Sequence, residues 1–175
     1  MFLEFDRVGD FSEGFAAVEK DDKWGYINTK GEQIIAYEFD GARNFNEGFA
    51  AVEKDDKWGY INTKGEQIVE CKFDDVRNFS EGFAAVKKDG KWGYINTKGE
   101  QIVECKFDDD RYFDDVRNFS EGFAAVKKDR KWGYINTKGE QIVECKFDNV
   151  YDFNEGFAAV KKDDKWGYIN TKGEQ

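Results

Sequence analysis

FNEGFAAVEKDDKWGYINTKGEQ, residues 45–67, recurs at 11–33, 79–101, 119–141 and 153–175 with few substitutions. The tryptophans of the five copies are Trp24, Trp58, Trp92, Trp132 and Trp166, spaced by 34, 34, 40 and 34 residues. A fixed period of this size marks a chain built by stacking one supersecondary unit on itself. Residues 1–175 then form one repeat domain, with a six-residue insertion near 107–113.

Within one unit, FAAVEK (49–54) predicts a first strand and Asp55-Asp56 a tight turn. The third copy has Asp89-Gly90 at that turn, the strongest two-residue hairpin signal, because both residues tolerate positive φ. WGYIN (58–62) predicts a second strand, with Trp58, Tyr60 and Asn62 on one face and Gly59 and Ile61 on the other. Thr63-Lys64-Gly65 closes the next hairpin, with Gly65 left-handed; Gly31, Gly99, Gly139 and Gly173 take the same place. QIVECKF (67–73) alternates apolar Val69, Cys71 and Phe73 with mostly polar neighbours, as a third strand should. DDVRNF (74–79) predicts a short fourth strand, and Ser80-Glu81-Gly82 turns into the next copy. No segment has helical periodicity, so the class is all-β.

Such a meander cannot bury both faces alone, and stacking can proceed as a closed ring or an open β-hairpin solenoid. MFLEFD at the start aligns with the tail of a third strand, and the sequence ends at Glu174-Gln175, where the last third strand begins. The join is one residue short of a regular period. The expectation is a closed five-bladed β-propeller-like ring of ~34-residue antiparallel meanders, its last blade completed by the N-terminal strand. The FAAV strand would then be innermost. A closed ring would leave the protein monomeric.

Composition narrows the function classes. Charged residues are 37% and aromatics 17%, and the formal net charge is −10. Acidic balance opposes non-specific nucleic-acid binding, which needs cations to replace phosphate counterions. No apolar run reaches bilayer-spanning length and MFLEFDRV lacks the form of a secretion signal, so the expected location is cytoplasmic, with no membrane partner. The chain has no His, which removes the commonest general base and transition-metal ligand. Cys71, Cys105 and Cys145 share one repeat position with Tyr37, which reads as a packing site and not as a redox or metal site.

At KWGYINTKGEQIV, with FxEGFAAV upstream, the chain resembles the WG-repeat family, also called KWG repeats. The pair recurs at Trp24-Gly25, Trp58-Gly59, Trp92-Gly93, Trp132-Gly133 and Trp166-Gly167. The family is mainly bacterial. The resemblance implies a repeat domain used for binding or scaffolding, and it carries over no catalytic residues. The closeness of the copies points to recent duplication or deliberate construction.

Candidate chemistry is sparse. The Trp and Tyr of WGY suit either a ligand-stacking platform or a packed core, and large aromatics favour the core. The paired aspartates lack calcium-loop spacing and read as turn residues. Glu13, Glu47, Glu81, Glu121 and Glu155 precede Gly in every copy; a turn or inter-repeat role fits that symmetry better than glycosidase chemistry. Ser12, Ser80 and Ser120 have no His base. We expect no catalytic site, no metal site and no cofactor.

Differences between copies fall on one rim, at the first turn and the third-to-fourth junction. FDDDRY (107–112) before FDDVRN (113–118) adds an apparent six-residue duplication there. Arg111, Tyr112 and Phe113, with Asp22, Asp56, Arg130 and Tyr151, are the candidate partner-binding residues, since Tyr and Arg are common interface anchors. The leading expectation is a non-enzymatic protein-interaction module or scaffold. A multivalent small-ligand or glycan-binding protein is the alternative, and a structural or engineered repeat without a ligand a further one.

Overall fold

The computed structural model describes residues 4–108 and 116–175. Among the described residues the chain forms five antiparallel sheets in sequence order and no helix. The first sheet is β1 (Arg7–Val8), β2 (Phe15–Lys20), β3 (Lys23–Asn28) and β4 (Gln33–Phe39). The second is β5 (Gly41–Ala42), β6 (Phe49–Lys54), β7 (Lys57–Asn62) and β8 (Gln67–Phe73). The third is β9 (Asp75–Val76), β10 (Phe83–Lys88), β11 (Lys91–Asn96) and β12 (Gln101–Phe107). The fourth is β13 (Phe123–Lys128), β14 (Lys131–Asn136) and β15 (Gln141–Phe147), with Val116 bridging Val126 where the other sheets have a short strand. The fifth is β16 (Asn149–Val150), β17 (Phe157–Lys162) and β18 (Lys165–Asn170). The three main strands of the first four units, and the two of the fifth, lie where the sequence pattern placed them.

The short strand departs from expectation. It forms at Asp75–Val76 but pairs with the FAAV strand of the next copy, Val76 opposite Val86 and Asp75 opposite Lys87. The reason is local. Glu81 and Gly82 both have positive φ, and Ser80 and Phe83 exchange backbone hydrogen bonds of 2.8 and 3.1 Å. That two-residue turn returns the chain directly onto the short strand. FAAV is therefore the second strand of its sheet and not the edge strand.

FAAV carries small apolar residues because it is buried on both faces. Phe15, Ala17, Tyr26, Ile35 and Phe39 pack forward onto Phe45, Ala50, Val52 and Ile61 of the next sheet. Ala16, Val18 and Ile27 face the other way, against Phe5 and Tyr37. Equivalent clusters join every later pair of sheets. Alanine brings neighbouring sheets close, and the aromatics supply buried area.

The glycine after Trp24, Trp58, Trp92 and Trp132 has a steric cause. Trp58 pairs with Phe73 and Tyr60 with Val69, so β8 bulges between them. A Cβ on Gly59 would lie 2.4 Å from the Val69 carbonyl oxygen and 2.8 Å from Cys71 N. Only a bare backbone fits beneath the bulge.

Residues 6–9 open the first sheet: Asp6 N donates to Glu19 O (2.9 Å) and Gly9 N to Ala17 O (2.8 Å). Met1, Phe2 and Leu3 belong to the strand expected to complete the last blade and lie outside the described residues. Among the described residues no strand pairs with the outer edge of β18, and Glu4 and Phe5 are not in a strand. Ring closure is not formed by the described residues. Among the described residues no helix is long and apolar enough to cross a membrane.

Candidate interaction surfaces

The first turn of each unit lies on one rim beside the junction before the short strand. Both turn residues have positive φ in every copy, including Asp22 (61°), Asp56 (59°) and Arg130 (62°). The first turn N–H is held by the junction aspartate: Asp21 N to Asp6 (2.8 Å), Asp55 N to Asp40 (2.9 Å), Asp163 N to Asp148 (2.9 Å). From the second sheet onward the junction aspartate also takes a lysine from the preceding sheet, as Lys57 on Asp74 (2.6 Å) and Lys91 on Asp108 (2.8 Å). A lysine hydrogen bond, aided by a backbone N–H, keeps the Asp40, Asp74 and Asp148 carboxyls below the usual range.

Asp22, Asp56 and Arg130 are exposed at the turn tips of this rim. Tyr151 is exposed as well. It lies past β16, stacked on Trp166 at 5.3 Å between ring centroids, where the other sheets place Arg43, Arg77 and Arg117 over Trp58, Trp92 and Trp132. Arg111, Tyr112 and Phe113 fall outside the described residues. The chain on either side keeps regular contacts, with Asp108 N donating to Lys127 O (3.0 Å) and Val116 bridging Val126.

The opposite rim joins the copies to one another. The Glu13 carboxylate accepts from Glu47 N and Gly48 N, both at 2.8 Å. Glu47, Glu81 and Glu121 repeat this with the turn of the following copy, across the insertion as elsewhere. The turn role and the inter-repeat role read for these glutamates both hold. Asn62 orders the other loop of this rim, its side-chain oxygen accepting from Lys64 N (2.9 Å) and Glu66 N (3.0 Å), with Gly65 at φ 79°. The corresponding Gly31, Gly99, Gly139 and Gly173 are likewise left-handed.

The aromatic residues of WGY sort by position. Tyr26, Tyr60, Tyr94 and Tyr134 are fully buried, and each donates its hydroxyl to a backbone carbonyl of the next sheet, such as Tyr26 to Arg43 O (2.7 Å). Burial pushes these phenols far above their ordinary range. Trp92 and Trp132 are buried, and Trp24 and Trp58 half-buried. Trp166 and Tyr168 in the last sheet are 49% and 70% exposed. The free thiols of Cys71, Cys105 and Cys145 are half-buried beside the core, and burial raises their pKa.

One grouping has no forerunner in the sequence reading. Arg77, Val116, Arg117, Asn118 and Asp152 line a groove of about 310 Å³, with Arg117 3.6 Å from Asp152. The available signal was weak: Arg recurs at 43, 77 and 117, while Asp152 replaces Asn one position later. No group of three or more Cys, Asp or Glu converges as metal ligands would among the described residues.

The model of the WG containing repeat matches six segments, 3–24, 24–58, 58–92, 92–109, 110–132 and 132–166. The chain belongs to this family. The break between 109 and 110 falls within the inserted stretch. WG repeats here build a propeller-like fold. Hsv2p of Kluyveromyces lactis aligns with a TM-score of 0.52 and 13% identity over 90% of this chain and 64% of that one. A K. lactis Hsv2 with loop 6CD replaced by a Gly-Ser linker gives 0.51 and 13%, over 95% and 62%. A eukaryotic initiation factor gives 0.56 and 14%, over 87% and 47%. At such identities the likeness shows fold alone, and the chain spans about three-fifths of the Hsv2 chains. Comparison with curated proteins gives no match.

Proposed function

We propose that this WG-repeat domain is a non-enzymatic protein-interaction module, a scaffold that binds another protein through its variable rim. One observation carries the reading. The polar groups that repeat in every copy are engaged in joining sheet to sheet: the Glu47 carboxylate, the Tyr60 hydroxyl and Lys57 each bond the next sheet. What differs between copies and faces water is the rim bearing Asp22, Asp56, Gly90, Arg130 and Asp164. Copies alike in packing but unlike at one edge suit recognition better than catalysis, which needs a single asymmetric constellation. Bound proteins are the expected partners; nucleic acid and membrane are not.

A glycan-binding reading needs aromatic platforms in water. The buried tyrosines of the first four sheets, at no more than 1% exposure, argue against one sugar site per copy. Two variants test the proposal. One replaces Asp22, Asp56, Arg111, Tyr112, Phe113 and Arg130 with Ala; the other alters Thr29, Lys64, Lys98 and Lys138 on the opposite rim. Stable partners are compared by quantitative crosslinking. Loss of the same partner in the first variant and its retention in the second is expected. Equal retention in both, or several equivalent sugar sites in a glycan titration, would overturn the reading.

A further inference from the structure

Arginines at or just after the short strands stack on tryptophans, and their other contacts differ. Arg43 lies 4.3 Å from the Trp58 ring and Arg117 5.6 Å from the Trp132 ring. Arg43 shows what such a guanidinium takes when it is fully engaged. It donates to the Val76 carbonyl and, at 2.9 Å, to an Asp75 carboxylate oxygen, both on the short strand of the next sheet. Its ligand is thus an aspartate followed by a backbone carbonyl.

Arg117 has the same stack without the same ligand. The residue in the place of Asp75 is Asn149, which sits opposite Lys161 as Asp75 sits opposite Lys87. The Asn149 side-chain oxygen accepts from Val150 N at 2.8 Å. Among the described residues the Arg117 guanidinium makes no hydrogen bond; Asp152 stands 3.6 Å away, an ion pair beyond hydrogen-bond reach. Arg117 is held between aromatic rings, with Tyr151 at 6.0 Å on the other side from its own sheet's Trp132. Stacking engages the flat faces of a guanidinium and leaves its in-plane N–H fork for a planar oxyanion.

Arg117 lines the groove of about 310 Å³ together with Arg77, Val116, Asn118 and Asp152. Arg77 keeps contacts of its own and adds a second positive charge. In a chain of net charge −10, two guanidiniums against one carboxylate make the lining of this groove locally positive.

We propose that this groove binds an acidic segment of a partner protein, with an Asp or Glu carboxylate taken by Arg117 as Arg43 takes Asp75. The inference rests on the reading of the domain as a protein-interaction module and names the partner's chemistry. Charge complementarity and the internal example of Asp75 identify the occupant. A singly charged carboxylate also meets less repulsion from Asp152 than a phosphate dianion would.

The test is fluorescence anisotropy of the whole chain with a fluorescein-labelled peptide of alternating Asp and Gly, at physiological ionic strength. An Asn–Gly peptide is the neutral control and a phosphoserine–Gly peptide the dianionic one. Saturable binding of the Asp–Gly peptide is expected, with none of the neutral one. Arg117→Gln should weaken it about tenfold, through loss of a charged hydrogen bond. Arg117→Lys should recover only part, because an ammonium lacks the fork. Asn149→Asp offers Arg117 the carboxylate that Asp75 offers Arg43, and should block the peptide as fully as Arg117→Gln. Asp152→Asn removes a competing charge and should tighten binding about threefold. Lys98→Gln makes the same charge change on the opposite rim and should leave binding unaltered. Melting temperatures confirm that each variant is folded. Absence of saturable binding, equal losses in Arg117→Gln and Lys98→Gln, or weaker binding by Asp152→Asn would overturn the proposal. Tighter binding of the phosphoserine peptide would overturn the carboxylate assignment. Partner capture lost in the rim variant while the acidic peptide fails to bind would strike this site alone; peptide binding with partner capture unmoved by the rim variant would strike the rim reading and leave the groove.

Discussion

Glu47 holds Gly82 of the next copy: its carboxylate accepts from Gly82 N at 2.9 Å and from Glu81 N at 2.7 Å. The left-handed turn aims both N–H groups to one side, and the charged acceptor satisfies both. Glu47→Ala should lower the unfolding free energy by about 1–2 kcal/mol. Glu155→Ala, at the open end of the ladder, should leave it unchanged in dilute solution. Urea titrations of the two variants check this, and equal losses would remove the ladder as the cause.

Gly59 and Gly167 occupy the same repeat position with opposite surroundings. Alanine at 59 would drive a methyl group to 2.4 Å from Val69 O, while at 167 nothing lies within 4 Å. Gly59→Ala should cost about 3 kcal/mol, since backbone under a bulge cannot yield. Gly167→Ala should cost no more than about 0.5 kcal/mol, as surface substitutions do. Melting temperatures at low protein concentration separate the two.

Arg130 is a non-glycine residue at φ 62° in a turn where the third copy has Gly90 at φ 71°. The left-handed conformation costs an ordinary L-residue roughly 1–2 kcal/mol. Arg130→Gly should stabilise the fold by about 0.5–1 kcal/mol, the gain being reduced by the greater freedom of unfolded glycine. A lowered melting temperature would contradict this.

Acid should unfold the chain by releasing the junction aspartates. Hydrogen bonds from Lys23, Lys57 and Lys131 lead the effects that hold Asp40, Asp74 and Asp148 below their unfolded pKa. Such groups stabilise the fold fully above the unfolded value, and the contribution disappears as pH falls through the folded value. The melting temperature should stay level from neutral pH to about 5 and fall below about 4. Asp74→Asn should shrink that fall. Glu53 behaves oppositely: burial, followed by the charges of Asp56 and Asp40, raises its pKa. Its ionisation opposes folding as pH rises through the interval between the unfolded and folded values. Glu53→Gln should therefore raise the melting temperature at pH 7, with the benefit vanishing in acid.

How much of this was legible in the sequence follows from the range of the forces involved. Asp89-Gly90 and Thr63-Lys64-Gly65 announce their turns because positive φ is a property of one or two residues. Val69, Cys71 and Phe73 announce a half-buried strand because side-chain direction alternates along any extended chain. The period itself announced sheets stacked in series. That the turns of Asp22, Asp56 and Arg130 share one rim was legible because strand count and turn order fix which turns lie together. The contact of Tyr151 was not legible, because it depends on Trp166, fifteen residues away, and on the turn that folds the short strand onto the following copy.

By itself, then, the sequence determined the all-β class, the unit and its turns. Tertiary structure alone decided which sheet owns the short strand, why a glycine must follow Trp58, what the Glu47 carboxylate holds, and which faces stay open at Phe11 and Tyr168. Each of these depends on atoms brought together from neighbouring copies. Identical repeats carry identical local instructions; only their position in the row makes Tyr134 a core residue and Tyr168 a surface.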